Sequence, residues 1–225
     1  MRIVVTGANR GIGLEFVRQL AARGEEVHAT ARKPQEASAL RQVEGDVTVH
    51  ALDVGSAESV AAFREALQGA PVDVLINNAG VLLREGGLGA IDFEMMTTCF
   101  QVNTLGSLRV SQALLEQVKA SETKKIVHIS TQMGSIADNS SGGAYAYRAS
   151  KAALNMVSRS MARDLSEEGV VVFAIHPGWV QTDMGGSSAK LTAEHSVASM
   201  LRKIDASDMG MTGTFQNWDD QELPW

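Results

Sequence analysis

The chain has 225 residues, of which 44% are hydrophobic and 20% charged, a composition typical of globular rather than disordered or fibrous proteins. This length suits one α/β domain and no segment marks a boundary, so residues 1–225 are expected to form a single domain. The formal net charge of −6, without a clustered Lys/Arg face, argues against nucleic acid or anionic lipid as a partner.

Short β-branched runs alternate with longer helical patterns along the whole chain. The predicted strands cover residues 2–6, 26–31, 47–52, 72–76, 125–130 and 170–176, with a seventh at 213–217. The predicted helices cover residues 12–23, 57–67, 92–119, 147–166 and 193–204. Continuous apolar strands joined through helices form a parallel sheet with helices on both faces. We therefore predict a doubly wound, Rossmann-type α/β fold of about seven strands, with the C-terminal residues docked on it.

A glycine-rich segment follows the first predicted strand and opens the first predicted helix. It reads Thr6-Gly7-Ala8-Asn9-Arg10-Gly11-Ile12-Gly13, and its glycines permit a tight turn with a close backbone approach. A pyrophosphate at this place would meet the amides of a helix N-terminus. Three glycines could also serve only as a tight strand-to-helix connection, so this motif alone leaves nucleotide binding open.

Tyr147 and Lys151 stand four residues apart on a predicted helix, so both side chains project from one face. A phenol with a pKa of about 10 is a poor acid-base group at neutral pH, but a nearby ammonium and an oxidised nicotinamide both favour its phenolate. Tyr145 lacks such a partner because Ala149 stands four positions later. Taken alone, a Tyr/Lys pair is more often an ordinary solvated helix contact.

The order of these motifs resembles the short-chain dehydrogenase/reductase family. The glycine spacing, TGxxxGxG, differs from the GxGxxG fingerprint and is similar to this family's version. Within the family, the stretch GGAYAYRASKAALN and the closing Leu-Pro-Trp resemble small carbonyl reductases of the sniffer and C-factor type. Further matches follow in order along the chain: Asp53, Asn77-Asn78-Ala79-Gly80, Asn103, Tyr147 with Lys151, and Pro177-Gly178 with Thr182.

The resemblance implies a cofactor site built from several loops. Asp53 and Val54 would contact adenine, and the backbone of Val180 and the hydroxyl of Thr182 would lie near the nicotinamide carboxamide. Asx turns at Asn77 and Asn78, and a plain turn after Pro177, are the structural alternatives. The complete set of predicted cofactor-binding residues is Gly7, Asn9, Arg10, Gly11, Ile12, Gly13, Arg32, Asp53, Val54, Asn78, Ala79, Gly80, Tyr147, Lys151, Pro177, Gly178, Val180 and Thr182.

Cofactor choice is predicted from the end of the second strand, Thr30-Ala31-Arg32. An acidic residue there would bind the ribose 2′-hydroxyl of NAD(H), and none is present. Arg32 could instead bind a 2′-phosphate, with Arg10 approaching from the other side. NADP(H) is therefore the preferred cofactor and NAD(H) a possible one, unless both arginines are solvated surface charges.

The family's remaining catalytic groups are a serine after the fifth strand and an asparagine in the long fourth helix. Thr131 takes the serine's position and keeps the hydroxyl, although its methyl group stiffens χ1 and narrows the pocket. Ser130 is expected to point to the other side of the strand and Ser135 lies on the outgoing loop, so both are second choices. Asn103 matches the asparagine, where the resemblance implies a main-chain irregularity that holds a water near Lys151; the alternative is a helix-surface asparagine.

These residues imply hydride delivery to a carbonyl carbon, with Tyr147 protonating the alkoxide and Thr131 helping to stabilise its charge. The alternative is a C-factor-like signalling or nucleotide-sensing protein with little relevant turnover. We expect substrate choice to depend on a lid at about residues 183–195, the loop around Asn139 and residues 82–91. A homodimer through residues 92–119 and 147–166 is also expected from the resemblance.

Cysteine, histidine and hydropathy patterns bear on metals and compartment. Cys99 is the only cysteine, which excludes an intrachain disulfide, and the five histidines lack ligand spacing, so no metal site is expected. The N-terminal apolar run is too short for a signal peptide, and no stretch approaches the roughly 18 apolar residues of a membrane span. We therefore expect a cytoplasmic protein that acts on a small-molecule carbonyl or alcohol.

Overall fold

Seven strands pair in parallel in one sheet of the computed structural model, which describes residues 1–83 and 86–225. Along the chain they are β1 (Arg2–Val5), β2 (Glu26–Ala31), β3 (Val47–Ala51), β4 (Val74–Asn77), β5 (Lys125–Ile129), β6 (Val171–His176) and β7 (Phe215–Asn217). Their order in the sheet is β3-β2-β1-β4-β5-β6-β7. Strands β1 to β3 are added outward on one side and β4 to β7 on the other, so the two halves of the sheet meet between β1 and β4. Parallel α/β sheets bind ligands at such a switch point.

Helices cover both faces of this sheet. Along the chain they are α1 (Gly11–Ala22), α2 (Ser38–Arg41), α3 (Ala57–Ala66), α4 (Phe93–Cys99), α5 (Ser107–Ala113), α6 (Leu115–Lys119), α7 (Tyr145–Asp164) and α8 (Ala193–Ala206). The apolar residues of α1 and α8 join one core cluster, and those of α3, α5 and the end of α7 join another. Among the described residues, no helix combines the length and apolar character needed to cross a membrane.

The four central strands, β1, β4, β5 and β6, are buried on both faces because each contributes alternate residues to the two cores. In β5, Ile126 belongs to the α3/α5/α7 side, whereas Val127 and Ile129 belong to the α1/α8 side. Successive strand residues point to opposite faces, which explains this alternation. The predicted doubly wound α/β fold is therefore confirmed.

The helix predicted over residues 92–119 is not continuous. The chain forms α4, then a π-helical segment at Phe100–Gly106, then α5, and a non-helical residue at Leu114 separates α5 from α6. A π-helical turn accommodates one extra residue per turn and is often found at functional sites. Helix α2 was not predicted, because four residues are too few to show a hydrophobic period.

The C-terminal residues fold back onto β7. The amide of Leu223 donates to Phe215 O at 2.7 Å, and Gln216 and Glu222 form an antiparallel bridge. The indole of Trp225 stacks on the ring of Phe215, with 5.5 Å between the ring centroids. The expected docking of the tail on the sheet is confirmed.

Candidate active site

The predicted site residues converge on the carboxyl edge of the sheet. The glycine-rich segment follows β1, Asn78 follows β4, Thr131 follows β5 and Pro177 follows β6. These four strands are neighbours at the centre of the sheet, in the order β1-β4-β5-β6. Because parallel strands end at the same edge, the four loops surround one cleft.

The glycine turn after β1 requires glycine at two of its positions. Gly7 has a φ of +64°, and a Cβ built on it would lie 2.8 Å from Ala79 Cα. A Cβ on Gly13 would overlap both Gly7 O and the side-chain amide of Asn78. That amide donates to Gly7 O at 3.0 Å, so Asn78 fixes the turn across the strands.

The start of α1 suits a bound anion. Arg10 stands at the N-cap without a side-chain capping bond, and the first turn holds no acidic residue. The first amides of a helix have no intrahelical acceptors and carry a partial positive charge. Asn9 and Arg10 are exposed beside them and Ile12 is half-buried. The segment therefore fits the pyrophosphate of a dinucleotide.

The two arginines expected to bind the 2′-phosphate are differently placed. Arg32 is exposed directly after β2. Arg10 forms an ion pair with Asp183, with 2.8 Å between Nη1 and Oδ2, across the cleft from the glycine turn. Arg10 is therefore directed towards the predicted lid and not towards the anion that Arg32 would bind. A ligand phosphate would have to compete with Asp183 for it.

The residues after β3, which were expected to contact adenine, lie at one side of the cleft. Asp53 is exposed, and its Oδ1 accepts a hydrogen bond from the Gly55 amide at 2.9 Å. Val54 is buried against Gly106, and its carbonyl accepts a hydrogen bond from Arg109 at 2.6 Å. Asp53 is thus open to a ligand, whereas Val54 also supports the helix layer.

Thr131, Tyr147 and Lys151 form one buried cluster. Tyr147 and Lys151 are only 8% and 4% exposed on the inner face of α7. The Thr131 side chain interacts with the phenol of Tyr147 and lowers its pKa, and Lys151 Nζ donates to Ile129 O at 2.7 Å. A Cβ built on Gly80 would lie 3.6 Å from Lys151 Nζ, so the loop after β4 closes over the lysine.

Burial sets the protonation state of both catalytic candidates. It raises the pKa of Tyr147 to about 12, although the hydrogen bond with Thr131 opposes this rise. It lowers the pKa of Lys151 to about 8. Burial is the largest influence on the pKa of Tyr147, and Lys151 Nζ is bonded to a strand carbonyl. The protein by itself therefore holds Tyr147 as a phenol, the form that can donate a proton.

Asn103 lies inside the π-helical segment and is fully buried, so the helix-surface alternative is wrong. Its Oδ1 accepts from the Val81 amide at 2.7 Å, and its Nδ2 donates to Val81 O at 2.9 Å and to Ser150 Oγ at 3.0 Å. The side chain thus joins the loop after β4 to the residue that precedes Lys151. Its observed role is to hold these two segments together.

Ser130 and Ser135, the second choices for the catalytic hydroxyl, are bonded elsewhere. Ser130 Oγ donates to Asn155 Oδ1 at 2.6 Å. Ser135 Oγ accepts from the Asp138 amide at 3.1 Å and lies 3.4 Å from Trp225 O. Of these three residues, Thr131 is the one that acts on the pKa of Tyr147.

The segment after β6 is fixed to the sheet by close packing. A Cβ on Gly178 would overlap Leu191 and lie 2.8 Å from the Trp218 ring, so only glycine fits there. Pro177 O accepts a hydrogen bond from Ser196 at 2.6 Å. The turn at Pro177-Gly178 is therefore held in one conformation by its neighbours.

The predicted lid is shorter than expected and its base is closed. Residues 193–195 belong to the first turn of α8, and a bridge between Val180 and Leu191 closes the loop. Within it, the Trp179 indole donates to Gly185 O at 2.8 Å, and the Thr182 hydroxyl accepts from the Gly185 amide at 3.1 Å. In residues 82–91, a further predicted specificity region, Arg84 and Glu85 lie outside the described residues.

Sequence reasoning missed three polar residues around the site: Asp183, Ser150 and Asn155. Asp183 pairs with a residue 173 positions away, and no local pattern signals this contact. Ser150 and Asn155 recur with Lys151 at helical spacing on the buried face of α7, which is a signal that the sequence does contain. In residues 1–83 and 86–225, no three His, Cys, Asp or Glu side chains group as metal ligands.

The chain matches a family model and resembles known protein sequences. The model of the short chain dehydrogenase family matches residues 1–192. The C-signal protein of Myxococcus xanthus is 50% identical over 155 residues, which are 69% of this chain and 93% of that protein.

Two solved structures share the fold over the full length. The NADPH-bound carbonyl reductase from chicken fatty liver has a TM-score of 0.92 and 35% identity, covering 100% of this chain and 98% of that one. The carbonyl reductase Sniffer of D. melanogaster has a TM-score of 0.94 and 29% identity, covering 100% and 99%. The resemblance inferred from the motifs is confirmed. The chain belongs to the short-chain dehydrogenase family.

Proposed function

We propose that this protein is an NADP(H)-dependent carbonyl reductase, with Tyr147 as its acid and base. The observation that carries the proposal is the buried phenol of Tyr147, which contacts the Thr131 hydroxyl one helical turn from Lys151. Burial keeps this phenol protonated, as the reduction of a carbonyl requires. The likeness to an NADPH-bound carbonyl reductase supports the same reaction.

Each group in the cluster has a distinct part in the proposed reaction. The bound cofactor would supply the hydride that reaches the carbonyl carbon. Tyr147 donates its phenolic proton to the developing alkoxide, and the Thr131 hydroxyl donates a hydrogen bond to the same oxygen. Lys151 holds a positive charge near Tyr147 once the phenol has lost its proton. Asn103 keeps the loop after β4 in place against α7.

The residues around the cleft fit the cofactor. The uncapped start of α1 would bind the pyrophosphate, and Asn78, Ala79 and Gly80 would line the cleft beside it. Exposed Arg32 after β2, with no acidic residue at that strand end, favours a 2′-phosphate and hence NADP(H). Arg10 would add to this preference only after leaving Asp183.

The proposal is tested by NADPH consumption, beside NADH, with a panel of aldehydes, ketones and quinones. Tyr147→Phe should lower kcat by about 10²- to 10⁴-fold, because it removes the transferable proton. Tyr145→Phe is the matched control, since this tyrosine lies two residues earlier on α7 and should leave kcat unchanged. Equal activity of the Tyr147→Phe and wild-type proteins on every substrate would exclude the assigned chemistry.

A second candidate function follows from the 50% identity to C-signal. In this alternative the chain binds the nucleotide as a signalling or sensing protein, and turnover matters little. Tight NADPH binding with no turnover on the whole panel would favour it. Turnover that disappears in Tyr147→Phe would favour the reductase.

We further propose that the protein forms a homodimer through the outer faces of α4 and α7. These faces carry exposed apolar side chains at Phe93 and Met156, which are 73% and 66% exposed. Because α4 and α7 pack against each other, these side chains could form part of one apolar surface suited to a second copy of the chain. The molar mass in light scattering should be that of two chains and should fall to one chain in Met156→Glu.

A further inference from the structure

A row of buried polar side chains crosses the sheet next to the catalytic cluster. Its strand residue on β5, His128, directly precedes Ile129, whose carbonyl accepts the hydrogen bond from Lys151. Asn77 of β4 and His128 of β5 are directly paired in register, so their side chains point to the same face. This is the face covered by α5 and α7, because Leu75 and Ile126 of the same strands belong to that core. Asn77 is 2% exposed and His128 is fully buried.

Two helix residues cover this row. Ser111 of α5 accepts a hydrogen bond from Asn77 Nδ2 at 2.8 Å. Ser158 of α7 is fully buried, and it stands three residues after Asn155, which bonds to Ser130 directly above His128 on β5. Two residues back along β5 span about 6.6 Å and three residues forward along α7 span about 4.5 Å, in the same direction because α7 runs antiparallel to the strands. We therefore place Ser158 on the side of α7 that faces His128.

Four polar atoms in this row are buried without a hydrogen-bond partner among the described residues. They are Asn77 Oδ1, both ring nitrogens of His128 and Ser158 Oγ. Buried polar groups are almost always hydrogen-bonded, and internal water is the usual partner where protein groups do not reach. A neutral imidazole offers one donor and one acceptor, and the amide oxygen and hydroxyl complete the three or so contacts that a buried water makes.

The row adjoins the catalytic lysine. Lys151 Nζ donates to Ile129 O at 2.7 Å, and Ile129 is the residue after His128. An ammonium has three donors, and Lys151 is 4% exposed, so solvation of its remaining donors must come from inside the protein or from a ligand. Among the other titratable groups, Cys99 at the end of α4 acts on both Lys151 and Tyr147, and His176 lies on β6 at the same face as the row.

His128 stays neutral in this environment. Burial, with the charge of Lys151 as a second cause, lowers the pKa of His128 to about 3. A neutral imidazole can direct its acceptor and its bound water towards the ammonium without opposing its charge. The row thus has the composition of a solvating pocket for a buried cation.

We propose that Asn77, His128 and Ser158 hold internal water behind Lys151, and that His128 is a positioning residue which keeps the lysine charged. The proposal rests on the proposed function through the role of Lys151 and adds a group outside the Thr131, Tyr147, Lys151 and Asn103 set. No proton leaves His128 in this scheme. Water and imidazole stabilise the ammonium, and the ammonium in turn favours the phenolate of Tyr147 that alcohol oxidation needs.

The test compares His128→Leu with His128→Asn in the pH dependence of kcat for alcohol oxidation. Leucine removes both polar ring atoms, so Lys151 loses charge at lower pH and the midpoint for Tyr147 should rise by about one pH unit. Below the midpoint, that shift corresponds to about a tenfold loss of kcat. Asparagine restores a donor and an acceptor and should keep the wild-type midpoint.

Two further variants separate this role from a structural one. His50→Leu removes another partly buried histidine from the sheet, at the distant strand β3, and should leave the midpoint unchanged. Should His128→Leu fail to fold, Ser158→Ala provides the second test, with a smaller upward shift of the midpoint. A uniform loss of kcat at all pH values with an unchanged midpoint would overturn the proposal.

A measurement without turnover distinguishes failure of this proposal from failure of the reductase assignment. A high-resolution crystal structure should show ordered water at about 2.7–3.2 Å from a ring nitrogen of His128. Water at this place in a protein that reduces nothing would refute the reductase alone. A dry pocket in an active reductase would refute the proposed pocket alone.

Discussion

Replacing Asp183 by asparagine is expected to tighten the binding of NADPH. Asp183 holds Arg10 in an ion pair of 2.8 Å, and the two side chains are 74% and 68% exposed. A phosphate that uses Arg10 must first break this pair and must also approach the aspartate charge. Removing the charge lowers both costs while leaving a side chain of the same size.

The exposure of the pair limits the size of this effect. Exposed ion pairs contribute about 0.2–1 kcal/mol, and two unit charges 4 Å apart in water interact by about 1 kcal/mol. The dissociation constant of NADPH should therefore fall by at most about fivefold. NADH lacks the 2′-phosphate, so its affinity should change less if Arg10 acts on that group.

Fluorescence titration of both nucleotides at low and high salt measures the effect. At about 1 M salt the Debye length is about 3 Å, so the gain in NADPH affinity should disappear. Glu194→Gln is the control, since it removes another exposed carboxylate close by, in the first turn of α8. Equal tightening of NADH and NADPH would refute the assignment of Arg10 to the 2′-phosphate, and weaker NADPH binding would refute the competition itself.

Three other changes have definite expected outcomes. Gly13→Ala places a Cβ against Gly7 O and should abolish NADPH binding in titration, with about 1–3 kcal/mol lost from the free energy of unfolding in urea. Thr131→Ala should lower kcat by about 10²-fold or more, whereas Thr131→Ser should retain most of it; equal kcat values for the two variants would contradict the role of the hydroxyl. Burial lowers the pKa of His128 to about 3 and of His176 to about 4, from 6.5. The unfolded chain therefore binds more protons between about pH 6.5 and 4, and the free energy of unfolding should fall as pH falls through this window. In His128→Asn, urea titrations should show that slope reduced by up to about 1.4 kcal/mol per pH unit.

Local sequence patterns were sufficient to predict the strands of the sheet and the position of Tyr147 and Lys151 on one helix face. Apolar β-branched runs separated by helical periods predicted seven strands, and seven are present among the described residues. The four-residue spacing of Tyr147 and Lys151 predicted one helix face, and both lie on the inner face of α7. These inferences succeed because they depend on periodicity, which is fixed within a few turns of chain.

Contacts between distant segments could not be predicted in this way. The pairing of Arg10 with Asp183 and of Asn103 with Val81 depends on how loops from different strands meet. The burial that raises the pKa of Tyr147 is likewise a tertiary effect. So is the hydrogen bond from Lys151 Nζ to Ile129 O. The sequence supplied the ionisable groups, and packing decides which form each of them takes.

The folding of the C-terminal residues onto β7 has a consequence for how copies of the protein can associate. An exposed edge strand offers unpaired amides and carbonyls that can recruit a strand from another molecule and start aggregation. Here the chain's own residues occupy that edge, through the bond from Leu223 to Phe215 and the bridge from Gln216 to Glu222. Truncation before Leu223 should therefore increase light scattering on storage, because it uncovers the strand and its buried Phe215 ring.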